Sequence, residues 1–137
     1  QMVLYLSAEQ PATVTVKVNG TTWERTYQIP ANTVKVSHAI PKSGFDDARL
    51  LAEGLSDRAI SISSDVPIVA YAHIYAGLTS GASLLLPTGV YGYEYQALGT
   101  SQAYPDALGS SYSWINVIAD HDSTVVQITP SVPTVGE

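Results

Sequence analysis

Apolar and polar residues alternate with a period of two in particular stretches of this chain. From Ala12 to Val18, Val14, Val16 and Val18 point one way and Thr13, Thr15 and Lys17 the other. This is the pattern of a half-buried antiparallel strand. Met2 to Leu6 predicts a short strand before it, set off by a turn at Ser7-Ala8-Glu9-Gln10-Pro11. Asn19-Gly20 predicts a type I′ hairpin turn, because both residues tolerate positive φ. Thr22 to Ile29 then returns with Trp23, Arg25 and Tyr27 on one face. Pro30-Ala31-Asn32 turns the chain again into Thr33 to His38, a strand expected to hold Val34 and Val36 inward.

The stretch from Ala59 to Leu98 organises the rest. It runs from Ile60-Ser61-Ile62-Ser63 through a Ser64-Asp65-Val66-Pro67 corner to an apolar run from Ile68 to Tyr75. A Gly/Ser/Thr connection follows, then Leu84-Leu85-Leu86-Pro87 and a ladder of Tyr91, Tyr93 and Tyr95. Each apolar run has strand length and ends at Gly, Pro, Asp or Ser, which predicts consecutive antiparallel strands rather than helices.

Between Pro41 and Gly54 the pattern breaks. Asp46 and Asp47 lead into Arg49, Leu50 and Leu51, so the stretch 45–54 accommodates at most one short helix or a crossover loop. Gly99 to Ser111 is loop-like in composition. Tyr112 to Ala119 and Thr124 to Thr129 predict a second hairpin around Asp120-His121-Asp122-Ser123, and Pro130 and Pro133 lie in a closing linker. A weak repeat is visible: LSAEQP before TVTV and ISSDVP before IVAY share one plan, strand, Ser, acidic turn, Pro, strand. VIADHD before TVVQI echoes it without the proline. The fold predicted is all-β, an antiparallel β-sandwich of about eight to ten strands built from hairpins. It is expected to form one domain over residues 1–130, with 131–137 a linker or the start of a next segment.

Composition narrows the function. The 137 residues are 45% hydrophobic and only 13% charged, so a core is affordable to the chain and its polar surface is largely Ser, Thr, Gly and Pro. A formal net charge of −6, with six scattered Lys and Arg, argues against a nucleic-acid backbone or an anionic membrane surface. The absence of cysteine excludes disulfides, thiolate metal sites and thiol nucleophiles. No stretch approaches the roughly 20 apolar residues of a membrane-spanning helix. Gln1 to Leu6 has no signal-like character, so a leader is expected outside this sequence if the protein is exported. Thr134-Val135-Gly136-Glu137 reads as a cut within a longer chain.

The chain of SSDVPIVAYAHIY, LLLPTGVYGYEYQAL and SWINVIADHDSTVVQITP resembles the domain family named after the IgG Fc-binding protein of mucus, which is also found in modular bacterial surface proteins. LSAEQPATVTVKV and YQIPANTVKV support the resemblance upstream. It is weakest between Lys42 and Leu55, and Thr88-Gly89-Val90-Tyr91-Gly92 departs from the family's usual alanine-leucine-glycine run. Relatives continue with further strands beyond Pro130. The resemblance implies an extracellular or cell-surface β-rich module of a multi-domain protein; no binding motif is carried over residue by residue.

Tyr71, His73 and Tyr75 share one strand face by their spacing, and Tyr91, Tyr93 and Tyr95 do likewise. Side by side, these six residues would form an aromatic platform for a sugar ring or a partner protein. Cross-strand packing, at roughly 0.2–1 kcal/mol per pair, accounts for them without a ligand and is the favoured reading. Asp120-His121-Asp122 offers oxygen ligands for a cation but no twelve-residue loop, and a plain turn accounts for it. The sequon Asn19-Gly20-Thr21 coincides with the predicted turn. No G-x-S-x-G elbow appears, and Glu9, Glu24, Glu53 and Glu94 offer no paired carboxylates for glycoside cleavage.

These observations favour a non-catalytic adhesion or ligand-binding module, with no cofactor and no metal. Its partners would be a host or surface protein or a glycan, together with neighbouring domains of the same protein. A structural spacer is the alternative, and a small glycan-active enzyme the third reading. Strand addition at an open sheet edge is a further route, against which Lys17, Lys35 or Lys42 would guard.

Overall fold

The computed structural model describes residues 1–99 and 113–133. The chain divides into two compact units, Gln1–Val90 and Tyr91–Glu137. The first holds seven strands: β1 (Met2–Ala8), β2 (Ala12–Val18), β3 (Glu24–Ile29), β4 (Thr33–Val36), β5 (Ile60–Ser64), β6 (Val69–Ala76) and β7 (Thr79–Leu85). A short 3-10 turn, Thr88–Val90, follows. The protein is all-β, with a four-stranded sheet ordered β4-β1-β6-β7 and a three-stranded sheet ordered β3-β2-β5, every pairing antiparallel.

Three bent ribbons generate this topology. β1–β2, β3–β4 and β5–β6 each place one strand in either sheet, and the ribbons lie side by side in the same order in both. Each bend contains a proline, Pro11, Pro30 or Pro67, which has no N–H to give to a ladder and so ends pairing in one sheet. The bends are tied together. The Asn32 amide donates to the Ala8 carbonyl at 2.8 Å, and the Thr13 amide donates to Asp65 Oδ1 at 2.8 Å. The repeat seen in the sequence, an acidic turn and a proline between two strands, is this sheet-switching corner in two of its copies.

The core lies between the sheets. Leu4, Leu6, Ala8 and Ala70 of the four-stranded sheet form one buried cluster with Ala12, Val14, Val16, Val18, Tyr27 and Ile29 of the three-stranded sheet. Trp23 and Ile40 close its ends. The alternation read in β2 is therefore correct residue by residue. Tyr27 keeps its hydroxyl satisfied by accepting from the His38 amide at 3.0 Å and lying 3.1 Å from His38 Nδ1.

Several expectations need correction. β5 and β6 do not pair with each other, because the Ser64–Pro67 corner carries the chain from one sheet to the other. The Gly/Ser/Thr segment expected as a connection is strand β7, paired with β6 from Ala70↔Leu85 to Ala76↔Thr79 around a two-residue turn. Gly77 there has φ +48° and the following Leu78 does not have positive φ, the pattern of a type II′ turn. The Asn19-Gly20 loop is not type I′, since only Gly20 has positive φ. It spans the five residues from Asn19 to Trp23, and within it Thr21 Oγ1 donates to the Val18 carbonyl and accepts from the Trp23 amide. Val34 and Val36 face outward, 64% and 47% exposed, since their β1 partners Ser7 and Tyr5 lie on the face opposite Leu4 and Leu6. Lys17 belongs to a central strand, so only Lys35 of the three lysines stands on a sheet edge.

No helix forms over 45–54. Gly44 takes φ +71°, and the Asp47 amide closes only a short turn onto the Gly44 carbonyl. Among the described residues of the second unit there is neither strand nor helix, and each of them is exposed. The Tyr91–Tyr95 ladder and the strands expected from Ser113 to Ala119 and Thr124 to Thr129 are thus not strands, for want of any ladder partner. Tyr112 and the expected loop from residue 100 to 111 lie outside the described residues.

Candidate functional site

The outward face of the four-stranded sheet is built by four strands whose register is in phase. Tyr5 is paired with both Val36 and Tyr71, Ser7 with Val34 and Val69, and Tyr71 in turn with Leu84. Val3 pairs with His73, which pairs with Ala82. Side chains directly opposite in antiparallel strands share a face. This face therefore carries three tyrosines and a run of aliphatic side chains with no Asp, Glu, Lys or Arg. An antiparallel sheet that meets water on one side ordinarily alternates to polar residues there. This one does not.

Tyr71, His73 and Tyr75 are brought together on it as their spacing predicts. The His73 ring lies 5.0 Å from that of Tyr75 and 5.9 Å from that of Tyr5, both tilted. His73 Nε2 is 2.9 Å from Ser80 Oγ on β7, which fixes the ring. Between Tyr5, Tyr71 and His73 on one side and Ser7, Val34 and Val69 on the other runs a shallow groove of about 380 Å³, with Ala82 in its wall. Tyr71 is 45% exposed and Val69 50%, so the face is open to solvent. Sequence reasoning missed Tyr5, Val34, Val69 and Leu84. The signal for Tyr5 was present, since β1 is apolar at both odd and even positions.

Tyr91, Tyr93 and Tyr95 stand in the second unit, outside any strand. The Tyr95 hydroxyl accepts from the Gly92 amide at 2.6 Å, and Tyr93 between them is fully exposed.

The remaining candidates are resolved into structural roles. Asp46 Oδ1 accepts from both the amide and the hydroxyl of Thr22, pinning the β2–β3 loop. Asp47 forms a fork with Arg49, whose Nη2 donates to Oδ2 at 2.7 Å and Nε to Oδ1 at 3.0 Å. The Arg49 side chain, then its amide, lower the Asp47 carboxyl from 3.8 to about 2. The fork's contribution is complete above the ordinary carboxylate value and is lost as pH falls through about 2. A carboxyl-carbon NMR titration should place the Asp47 midpoint near 2, and Arg49→Ala should return it towards 3.8.

Asp120 and His121 sit 3.8 Å apart in an exposed turn, where Ser123 has positive φ and Thr124 Oγ1 donates to the His121 carbonyl. Among the described residues no three His, Asp or Glu converge as metal ligands. Among the described residues, His73 Nε2 lies 2.9 Å from Ser80 Oγ and no carboxylate is hydrogen-bonded to the ring. Among the described residues no helix is long and apolar enough to cross a membrane.

The fold and this face define a β-sandwich with an uncharged, aromatic-rich sheet surface. Residues 81–137, less than half of the chain, match the family model described as IgGFc binding protein. The match begins within β7 and bears out, over that stretch, the resemblance seen in the sequence. No curated protein and no solved structure matches the chain.

Proposed function

We propose that this chain is a non-catalytic binding module that engages a protein through the outward face of its four-stranded sheet. The observation that carries this reading is the uncharged face bearing Tyr5, Tyr71, His73 and Tyr75 above exposed valines and a leucine. Such a patch is costly to leave in water and fits the apolar centre of a protein interface, where aromatic residues are enriched and charges depleted. A sugar would need polar side chains around its hydroxyls, and the groove walls supply little besides Ser7 and His73. The description of the matched family supports a protein ligand, and an extracellular or cell-surface setting agrees with it.

A protein array that includes immunoglobulin Fc fragments, probed with the 137-residue chain, tests this. Tyr71→Ala should weaken capture by about thirtyfold or more, as loss of a hot-spot tyrosine at the centre of an interface does, while leaving the fold intact. Capture that a folded Tyr71→Ala variant retains in full would move the contact elsewhere. Failure to capture any protein would favour a structural spacer.

A further inference from the structure

In the second unit, Tyr93, Glu94, Tyr95 and Gln96 meet Gln127 around an open, mainly polar groove of about 520 Å³. We infer that this groove is a subsite for a neutral saccharide, separate from the sheet face and independent of the protein-binding reading.

The argument rests on which groups converge. A pyranose offers a C–H face and a rim of hydroxyls that both donate and accept. Tyr93 presents a fully exposed flat ring, the surface that stacks on such a C–H face. The Glu94 carboxylate accepts from two hydroxyls at once, and the Gln96 and Gln127 carboxamides each donate and accept. Four of these residues are consecutive, and Gln127 joins them from a segment some thirty residues downstream. The groove is open, so a ligand there would be held by one face and its rim of hydroxyls rather than enclosed.

Local geometry favours this display. The Gly92 amide donates to the Tyr95 hydroxyl at 2.6 Å, closing a tight loop across Tyr93, whose ring stands fully exposed.

Charge selects the saccharide class. No Lys or Arg occurs anywhere from Tyr91 to Glu137, whereas Glu94, Asp106, Asp120, Asp122 and Glu137 do. Sialylated, sulfated or phosphorylated sugars would meet repulsion and no cationic partner. Neutral hexoses and N-acetylhexosamines meet neither difficulty.

The test is saturation-transfer NMR and titration of the intact chain with lactose, cellobiose, mannobiose and N,N′-diacetylchitobiose, with sulfated and sialylated lactose beside them. At least one neutral disaccharide should bind with a Kd of about 10 mM or tighter and show transfer from tyrosine ring protons. Tyr93→Ala should weaken it by about tenfold or more, as should Glu94→Gln, whereas Tyr71→Ala should leave it unchanged. Because Tyr93 is fully exposed, the variant is expected to fold, and an amide NMR spectrum confirms it. Absence of transfer from every neutral sugar, binding that survives both substitutions, or preference for the anionic sugars would each overturn the assignment. Loss of protein capture in Tyr71→Ala alone would leave it standing.

Discussion

Leu6→Ala should destabilise the first unit by about 2–5 kcal/mol, the range for emptying a leucine-sized site in a packed core. Leu6 is fully buried on β1, which is hydrogen-bonded on both sides, by β4 and by β6. Ladders on either flank restrain the backbone, so the cavity collapses little and the upper part of the range is expected. A domain of this kind has only about 5–15 kcal/mol in total. Urea unfolding followed by tryptophan fluorescence should show the midpoint fall with an unchanged slope, since Trp23 closes the same core. Val34→Ala is the control: this side chain is 64% exposed on edge strand β4, and its loss should cost no more than about 0.5 kcal/mol. Comparable losses in the two variants would mean that the core does not lie between the sheets.

Ser37→Ala should cost about 1–3 kcal/mol, although it removes a single oxygen. Ser37, which directly follows β4, is the buried polar residue among the described ones. Its hydroxyl accepts from the Leu4 amide at 2.9 Å and donates to the His38 carbonyl at 2.7 Å. Its own amide donates to the Leu4 carbonyl at 2.8 Å. The β1–β4 ladder is thus carried one step further by a side chain taking the place of a backbone carbonyl. Alanine leaves the Leu4 N–H without a partner in a place that water does not reach. Amide exchange should locate the effect, with Leu4 losing protection well beyond the global change. An unaltered exchange rate at Leu4 would show that its amide has another acceptor.

The sequence was read best where one strand supplied the whole signal. β2 alternates without a fault, and each of Val14, Val16 and Val18 is fully buried. The corners were legible too, because a proline and an acidic residue act locally. The Tyr71, His73 and Tyr75 face was legible for the same reason, since spacing along one strand is enough to place three side chains together. Val34 and Val36 were misread because alternation separates two faces without saying which is inward. That choice was made by pairing Val34 with Ser7 and Val36 with Tyr5.

β7 shows the reverse case. Thr79-Ser80-Gly81-Ala82-Ser83 has the composition of a loop, yet seven successive pairings with β6 make it a strand. Strand propensity reflects a residue's fit to its neighbours, and here the neighbouring strand outweighs it. In the second unit, Trp114 to Ala119 and Val125 to Ile128 have strand composition without a strand beside them, and their large apolar side chains are exposed.

By itself, then, the sequence determined the all-β class, the buried face of β2, the prolines at which strands change sheets, and the aromatic row on β6. Each of these follows from side-chain chemistry and backbone torsions within a few residues. The tertiary structure alone decided the orders β4-β1-β6-β7 and β3-β2-β5, the outward turn of Val34 and Val36, and the addition of Tyr5 to the aromatic row. Those depend on hydrogen-bond register between segments as far apart as Tyr5 and Tyr71, a relation that no local pattern encodes.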